Sequence, residues 1–183
     1  MILKTWTISK LLEWATKELN NSGISSPKQN VETILAHTLN IKRLDIYLQL
    51  ERKFSGKKLE IVFNIISRRK DKEPLQYILG ETEFYGYTIK VDKSVLIPRP
   101  ETELLVERII AEENDIKNIL EIGTGSGALV IALAKKMNGI VIDATDISED
   151  ALRIAEQNTI LNQVDINIFK SDIFDNVLNK YDL

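Results

Sequence analysis

Apolar residues before residue 75 recur at the three- and four-residue spacing of amphipathic helices, which predicts four helices. Their apolar positions are Leu11, Leu12, Ala15 and Leu19; Val31, Ile34, Leu35 and Leu39; a short stretch from Leu44 to Leu50; and Leu59, Val62, Phe63 and Ile66. Ser26 is predicted to cap the second helix, with Pro27 at its first position and Gln29 reaching back as in a capping box. Because each apolar stripe needs a partner for burial, we expect residues 1–73 to form a small helical bundle.

Residues 74–97 have a different pattern. Gln76–Leu79 and Tyr87–Val91 favour strand, with Glu83–Gly86 between them, so this segment is predicted to be a β-hairpin linker. The following Pro98–Pro100 stops any strand or helix, because proline lacks an amide donor and restricts its predecessor. A new helix is predicted to begin at once.

From residue 118 onward, short apolar strands alternate with helices. The predicted order is strand 118–122, helix 128–137, strand 139–145, helix 148–161 and strand 166–169. Alternation of this length indicates an α/β fold with a parallel sheet and right-handed crossovers, Rossmann-like over residues 98–183. Tyr181–Leu183 is predicted to open a fourth strand. Since a sheet cut there would leave an unpaired edge, we expect the chain to be a fragment of a longer protein with an incomplete domain.

Composition narrows the possible functions. A content of 44% hydrophobic and 28% charged residues is typical of a globular protein, and a net charge of −3 offers no general surface for polyanions. The chain has no cysteine and a single histidine, His37, so thiolate chemistry is excluded and no metal site is expected. Neither a signal peptide nor an apolar run long enough to span a bilayer is present in the sequence.

The candidate chemistry lies in the segment from Glu121 to Gly127, Glu-Ile-Gly-Thr-Gly-Ser-Gly, between a predicted strand and a predicted helix. Glycines at alternate positions let a backbone turn tightly and approach a ligand, and free amides at the helix start make the region electropositive. Two ligand classes fit. Gly123, Gly125 and Ala128 satisfy the loose dinucleotide fingerprint, whereas an acidic residue two positions before G-x-G-x-G is typical of S-adenosylmethionine-dependent methyltransferases. The third glycine at position 127 favours the second class.

Acidic residues follow the next two predicted strands. Asp146 ends the second strand, where a carboxylate accepts ribose hydroxyls in either ligand class, although it also stands beside the helix-capping Ser148. Asp172, after the third strand, is a candidate for the adenine amino group and Ile173 for the adenine face. The alternative for Asp172 is an ordinary turn aspartate.

Several further segments make the chain resemble the HemK/PrmC family. These are Tyr77–Gly80, Glu83–Gly86, the block from Leu96 to Glu103 (Leu-Ile-Pro-Arg-Pro-Glu-Thr-Glu), the glycine segment, and the Asp-containing segments at 145–148 and 171–174. The glycine segment is common to many methyltransferases, and the proline-containing block is far more specific. The resemblance covers essentially the whole chain.

Members of this family are N5-glutamine methyltransferases that modify peptide chain release factors. The resemblance implies a cytoplasmic protein with a substrate-recognition domain at 1–73, a hairpin at 74–97 and an S-adenosyl-L-methionine domain at 98–183. The cofactor-binding residues implied are Gly123, Thr124, Gly125, Ser126, Gly127, Asp146, Asp172 and Ile173. The block Pro98, Arg99, Pro100, Glu101 and Thr102 is implied to lie at the substrate entrance.

One family feature is missing from the sequence. The family's catalytic signature is Asn-Pro-Pro-Tyr after the fourth strand, and the 183 residues contain no Asn-Pro-Pro triplet. We therefore expect the chain alone to be inactive and assign it no catalytic residue. Alternatives are a methyltransferase for nucleobase amines or another amide, an NAD(P)-dependent oxidoreductase domain, or a helical binding module without cofactor.

Overall fold

The computed structural model describes residues 6–112 and 116–183, which divide into two compact units with a boundary between Leu79 and Gly80. The first unit is helical, as predicted. Its elements are β1 (Trp6–Thr7), α1 (Ile8–Asn21), α2 (Pro27–Leu39), a 3-10 helix (Arg43–Gln49), β2 (Lys53–Phe54), α3 (Gly56–Lys70) and α4 (Leu75–Leu79). The strands β1 and β2 pair with each other in antiparallel register.

The predicted apolar stripes form the core of the helical unit. Most of the predicted apolar positions on α1, α2 and α3 are buried in one cluster, with Leu12, Leu59 and Phe63 partly buried against it. Trp6, Trp14 and Phe63 contact one another edge to face, with ring centroids 5.0 to 5.4 Å apart. Such pairs add about 0.5–1.5 kcal/mol each beyond the area that they bury.

Two local predictions in this unit need correction. Ser26 and Pro27 occupy the predicted first positions of α2, but Ser26 has a left-handed conformation and its side chain makes no cap hydrogen bond, so no capping box forms. The side-chain amide of Asn30 donates instead to the Ser25 and Ser26 carbonyls. Gln76–Leu79 belongs to helix α4 and not to a strand. The reason is that Leu75, Ile78 and Leu79, at helical spacing, pack together against the helical core.

The second unit begins with a hairpin of β3 (Glu81–Phe84) and β4 (Tyr87–Lys90). Glu83 and Phe84, which were predicted to lie in the connection between two strands, belong to β3. Phe84 pairs with Tyr87, and the two turn residues Tyr85 and Gly86 both have positive φ, at 51° and 78°. Two such residues in succession are the mark of a tight type I′ hairpin turn.

The remaining elements form the predicted α/β arrangement. They are α5 (Pro100–Ala111), β5 (Asn118–Ile122), α6 (Ala128–Lys136), β6 (Val141–Asp146), α7 (Glu149–Asn162) and β7 (Asn167–Lys170). The strands are parallel in the order β5-β6-β7, which confirms the predicted fold class. The division by role into 1–73, 74–97 and 98–183 stays a prediction.

The segment Tyr181–Leu183 runs along the other side of β5. The Asp182 amide donates to the Asn118 carbonyl at 2.8 Å, and the Leu120 amide donates to the Leu183 carbonyl at 2.9 Å. This pairing agrees with the predicted start of a strand. The sheet therefore continues from β5 to β6 and β7 on one side, while the next segment of the chain lies on the other side of β5. In parallel sheets, ligands bind beyond the carboxyl ends of the strands at the point where the strand order changes direction in this way.

Candidate functional site

The carboxyl ends of β5 and β6 bring the predicted site residues to one edge of the sheet. Ile122 pairs with Thr145, so the glycine segment leaves β5 where β6 ends at Asp146. Asp146 in turn pairs with Lys170, the last residue of β7. The three segments that follow these strands are therefore neighbours, as the sequence predicted.

The glycines of the loop have two different structural roles. Gly123 and Gly125 have φ values of 74° and 55°, and a Cβ atom added to either would meet nothing within 4 Å. Gly127 has φ 75°, and a Cβ there would lie 3.4 Å from the Cβ of Ala155 on α7. The first two glycines have open space beside them, whereas the third lies against α7 at the start of α6.

Four amides of the loop donate hydrogen bonds within the chain. Gly123 and Thr124 both donate to the Thr145 carbonyl, at 2.8 and 2.9 Å, and Gly127 donates to the Thr124 carbonyl at 2.9 Å. Gly125 donates to Oδ2 of Asp146 at 2.9 Å. The reason is the parallel register, which places the Thr145 carbonyl and the Asp146 side chain, at the end of β6, next to the loop.

Asp146 joins the loop to the following helix. Its Oδ2 accepts the Gly125 amide and its Oδ1 accepts the Ser148 amide, each at 2.9 Å. Ser148 caps α7 by accepting the Ala151 amide, which confirms the predicted helix start. The helix-entry interpretation of Asp146 is thus observed. Its contact with ribose stays a prediction, for which each carboxylate oxygen retains a further lone pair.

Glu121 is a second carboxyl group beneath the loop. Its Oε2 accepts a hydrogen bond from the Thr124 hydroxyl at 2.5 Å. Burial, opposed by this hydrogen bond and reinforced by the nearby charge of Asp146, raises the pKa of Glu121 to about 7. The sequence identified Glu121 as part of the motif but gave no sign of this shift, because desolvation depends on neighbours distant in the chain.

The residues predicted to contact adenine lie in a turn after β7. Asp172 and Ile173 are both exposed, Ile173 has φ 49°, and the Asp172 carbonyl accepts the Asp175 amide. The turn interpretation of Asp172 is thus observed, and its adenine contact stays a prediction. Ile122 and Ile147, at the ends of β5 and β6, are also exposed, by 42% and 61%. The sequence analysis did not single them out, although each directly follows an acidic residue of the motif segments, Glu121 or Asp146.

The predicted entrance block lies at the start of α5. Arg99, Pro100 and Glu101 are exposed, while Pro98 and Thr102 are half-buried. Glu103 accepts the Tyr85 amide at 2.7 Å and so links this helix to the hairpin turn. The helix α5 packs on α6, which follows the glycine loop. A role for this block at the entrance remains a prediction.

Within residues 6–112 and 116–183 the structure gives no support to a metal site or to a membrane-spanning helix. No group of three or more His, Cys, Asp or Glu residues there is placed to hold a metal ion. Among the helices of the same ranges, none combines the length and the apolarity needed to cross a membrane.

Two family models match the chain. The PrmC N-terminal domain matches residues 10–80, and the methyltransferase small domain matches residues 99–183. A release factor glutamine methyltransferase from Chlorobaculum tepidum is 40% identical over 162 residues, which are 85% of this chain and 55% of the relative. One from Lactococcus lactis subsp. lactis is 41% identical over 148 residues, or 80% of this chain and 54% of the relative. The chain thus spans about half the length of these relatives.

Among solved structures, the ribosomal protein L11 methylase of Lactobacillus delbrueckii subsp. bulgaricus matches at 32% identity. The match covers 45% of this chain and 44% of that one, with a TM-score of 0.40. The two family models together cover most of both units of the chain. With a PrmC N-terminal domain followed by a methyltransferase small domain, the chain belongs to the HemK/PrmC family.

Proposed function

We propose that the loop from Gly123 to Gly127, with Asp146 and the Asp172–Ile173 turn, binds S-adenosyl-L-methionine. We further propose that the whole cytoplasmic protein transfers its methyl group to the side-chain nitrogen of glutamine in the Gly-Gly-Gln motif of release factors. The relatives' names support the substrate class. The observation that carries the cofactor assignment is the set of loop amides at Gly123, Thr124 and Gly125, which already donate within the chain.

These occupied amides disfavour a pyrophosphate. A dinucleotide-binding loop offers free amides to the phosphates, but the amides of Gly123, Thr124 and Gly125 already donate within the chain. The Asp146 carboxylate does not separate the two ligand classes, because either ligand offers it ribose hydroxyls. The geometry of the amides therefore supports a methyltransferase rather than an oxidoreductase.

The remaining residues fit the nucleoside part of the cofactor. The Asp146 oxygens retain lone pairs for the two ribose hydroxyls. The exposed side chains of Ile122, Ile147 and Ile173, at the same edge of the sheet, offer apolar surface for the adenine ring. Isoleucine covers a base without the stacking contribution that an aromatic residue would add.

The chemistry requires alignment more than acid–base catalysis. When bound, S-adenosyl-L-methionine supplies an electrophilic methyl group on a good leaving group. The glutamine amide is a poor nucleophile because its lone pair is delocalised, so its nitrogen must be oriented toward that methyl group. In the family the Asn-Pro-Pro-Tyr signature is expected to orient it. The described residues hold the cofactor side of the site, and we propose that the 183 residues alone give no turnover.

Isothermal titration calorimetry tests the cofactor assignment. We expect the chain to bind S-adenosyl-L-methionine and not NAD⁺ or NADP⁺. Asp146→Asn, which keeps the size but removes the charge, should weaken binding about ten- to hundredfold, since hydrogen bonds to charged groups contribute about 1.5–3 kcal/mol. Asp150→Asn, at an exposed position in the first turn of α7, is the matched control and should leave the affinity unchanged. Binding of NAD⁺ in place of S-adenosyl-L-methionine would refute the assignment.

Methyl transfer by the full-length protein tests the substrate assignment. With labelled S-adenosyl-L-methionine, label should enter a release factor and should not enter one whose Gly-Gly-Gln glutamine is replaced by alanine. The 183-residue chain, assayed in parallel, should transfer no label. Label in DNA, RNA or a different protein, with none in the release factor, would overturn the proposed substrate.

A further inference from the structure

Asn158 lies in the middle of α7 with no exposed surface and bonds to the backbone of two distant segments. Its Oδ1 accepts the Lys90 amide of β4 at 2.7 Å. Its side-chain nitrogen donates to the Lys90 carbonyl at 2.9 Å and to the Ser126 carbonyl at 2.8 Å. Both donor hydrogens of the amide are therefore used, and one of them is bonded to the glycine loop.

The hydrogen bond to the Ser126 carbonyl lies between two glycines of the loop. Ser126 stands between Gly125 and Gly127, and peptide units next to glycine rotate with little steric cost. The peptide unit that joins Ser126 to Gly127 is fixed from both ends, because its carbonyl accepts from Asn158 and its N–H donates to the Thr124 carbonyl. Without Asn158, the hydrogen bond from the N–H of this unit to the Thr124 carbonyl would be left to hold it.

A second asparagine one turn later provides a comparison. The side chain of Asn162 donates to the Thr88 carbonyl at 3.0 Å, so it also joins α7 to β4. It has no bond to the glycine loop. The two asparagines thus share the attachment of the hairpin, and only Asn158 connects the hairpin to the proposed cofactor loop.

We propose that Asn158 is a positioning residue that fixes the Ser126–Gly127 peptide and so holds the cofactor loop ready to bind S-adenosyl-L-methionine. This inference rests on the proposed cofactor. Its physical basis is preorganisation, since a loop that must be ordered on binding binds more weakly than one already fixed. Through the bonds to Lys90, the same side chain ties the loop to the strand that leads toward the Pro98–Thr102 block.

Binding measurements on matched variants test this role. Asn158→Asp keeps the size and the acceptor but loses both donors, and Asn158→Leu loses all polar groups. Each should weaken S-adenosyl-L-methionine binding by tenfold or more at a temperature well below its unfolding midpoint. Asn162→Ala, which removes the attachment to Thr88 and a bond to the Asn158 carbonyl but leaves the Asn158 side chain in place, should bind within twofold of wild type. A residue that merely stabilises the fold would lower the unfolding midpoint in these variants without changing the affinity.

Hydrogen exchange on the wild-type protein keeps the test decisive if the variants fail to fold. The Gly127 amide should be protected before any cofactor is added. Free exchange of this amide, with protection only after S-adenosyl-L-methionine binds, would overturn the inference. Unchanged affinity in both Asn158 variants would also overturn it. Failure of the wild-type chain to bind would refute the proposed cofactor instead, so the two outcomes are distinguishable.

Discussion

Replacing Glu121 by glutamine should stabilise the protein at alkaline pH and leave its stability at acidic pH nearly unchanged. Glutamine has the shape of the protonated carboxyl group and can still accept the hydrogen bond that the Thr124 hydroxyl donates to Oε2. It lacks only the negative charge. The substitution therefore isolates the cost of ionising a carboxyl group in this partly buried position next to Asp146.

The magnitude follows from the pKa shift. The pKa of Glu121 rises from 4.5 to about 7, chiefly through burial. Between these values the unfolded chain is ionised while the folded chain retains the proton, so the folded state binds more protons and stability falls as pH rises. At 1.36 kcal/mol per pKa unit, the loss amounts to at most about 3 kcal/mol and is complete above the folded pKa. Glu121→Gln should avoid this loss.

Urea unfolding of both proteins at pH 5 and pH 8.5 measures the effect. The variant should match wild type within about 1 kcal/mol near pH 5 and exceed it by up to about 3 kcal/mol at pH 8.5. Glu149→Gln serves as the control with the opposite sign, because the hydrogen bond and ion pair with Lys170 lower the pKa of Glu149. An equal stability difference between Glu121→Gln and wild type at both pH values would refute the reasoning.

Two further substitutions test single contacts. Gly127→Ala should lower the free energy of unfolding by about 1–2 kcal/mol, since alanine is disfavoured at φ 75° and its Cβ would lie 3.4 Å from that of Ala155. Gly139→Ala is the control for the backbone cost, because Gly139 has φ 73° and open space around the added Cβ. If Gly127→Ala lowers the free energy of unfolding less than Gly139→Ala does, the contact between the added Cβ and Ala155 adds no cost. Tyr181→Phe should cost about 1–3 kcal/mol in the same assay, because the buried Asp143 carboxylate loses the hydroxyl that donates to it at 2.5 Å. A stability equal to wild type would show that this hydrogen bond contributes nothing.

The sequence predicted most elements from signals carried by adjacent residues, although the capping box expected at Ser26 does not form. The helical spacing of Leu11, Ala15 and Leu19 gave α1, and the alternation after residue 118 gave the parallel sheet with the glycine loop between β5 and α6. The start of α7 at Ser148 was also predicted, since a capping serine acts on an amide only three residues away. In contrast, the apolar run Gln76–Leu79 suits a strand or a helix equally, and only its packing against the helical core selects α4.

The site shows the same division between local pattern and tertiary contact. The sequence by itself determined that a glycine loop, an acidic residue and a second acid after the next strand meet at one edge of a parallel sheet, because strand direction and alternation are local properties. Only the tertiary structure decided that Asp146 and the Thr145 carbonyl accept hydrogen bonds from the loop amides. It also decided that burial raises the pKa of Glu121. The bonds of Asn158 to Ser126 and to Lys90, which is 68 residues earlier, likewise came from the fold. These contacts depend on sheet register and helix packing, which join residues far apart in the chain and leave no mark on the spacing of their neighbours.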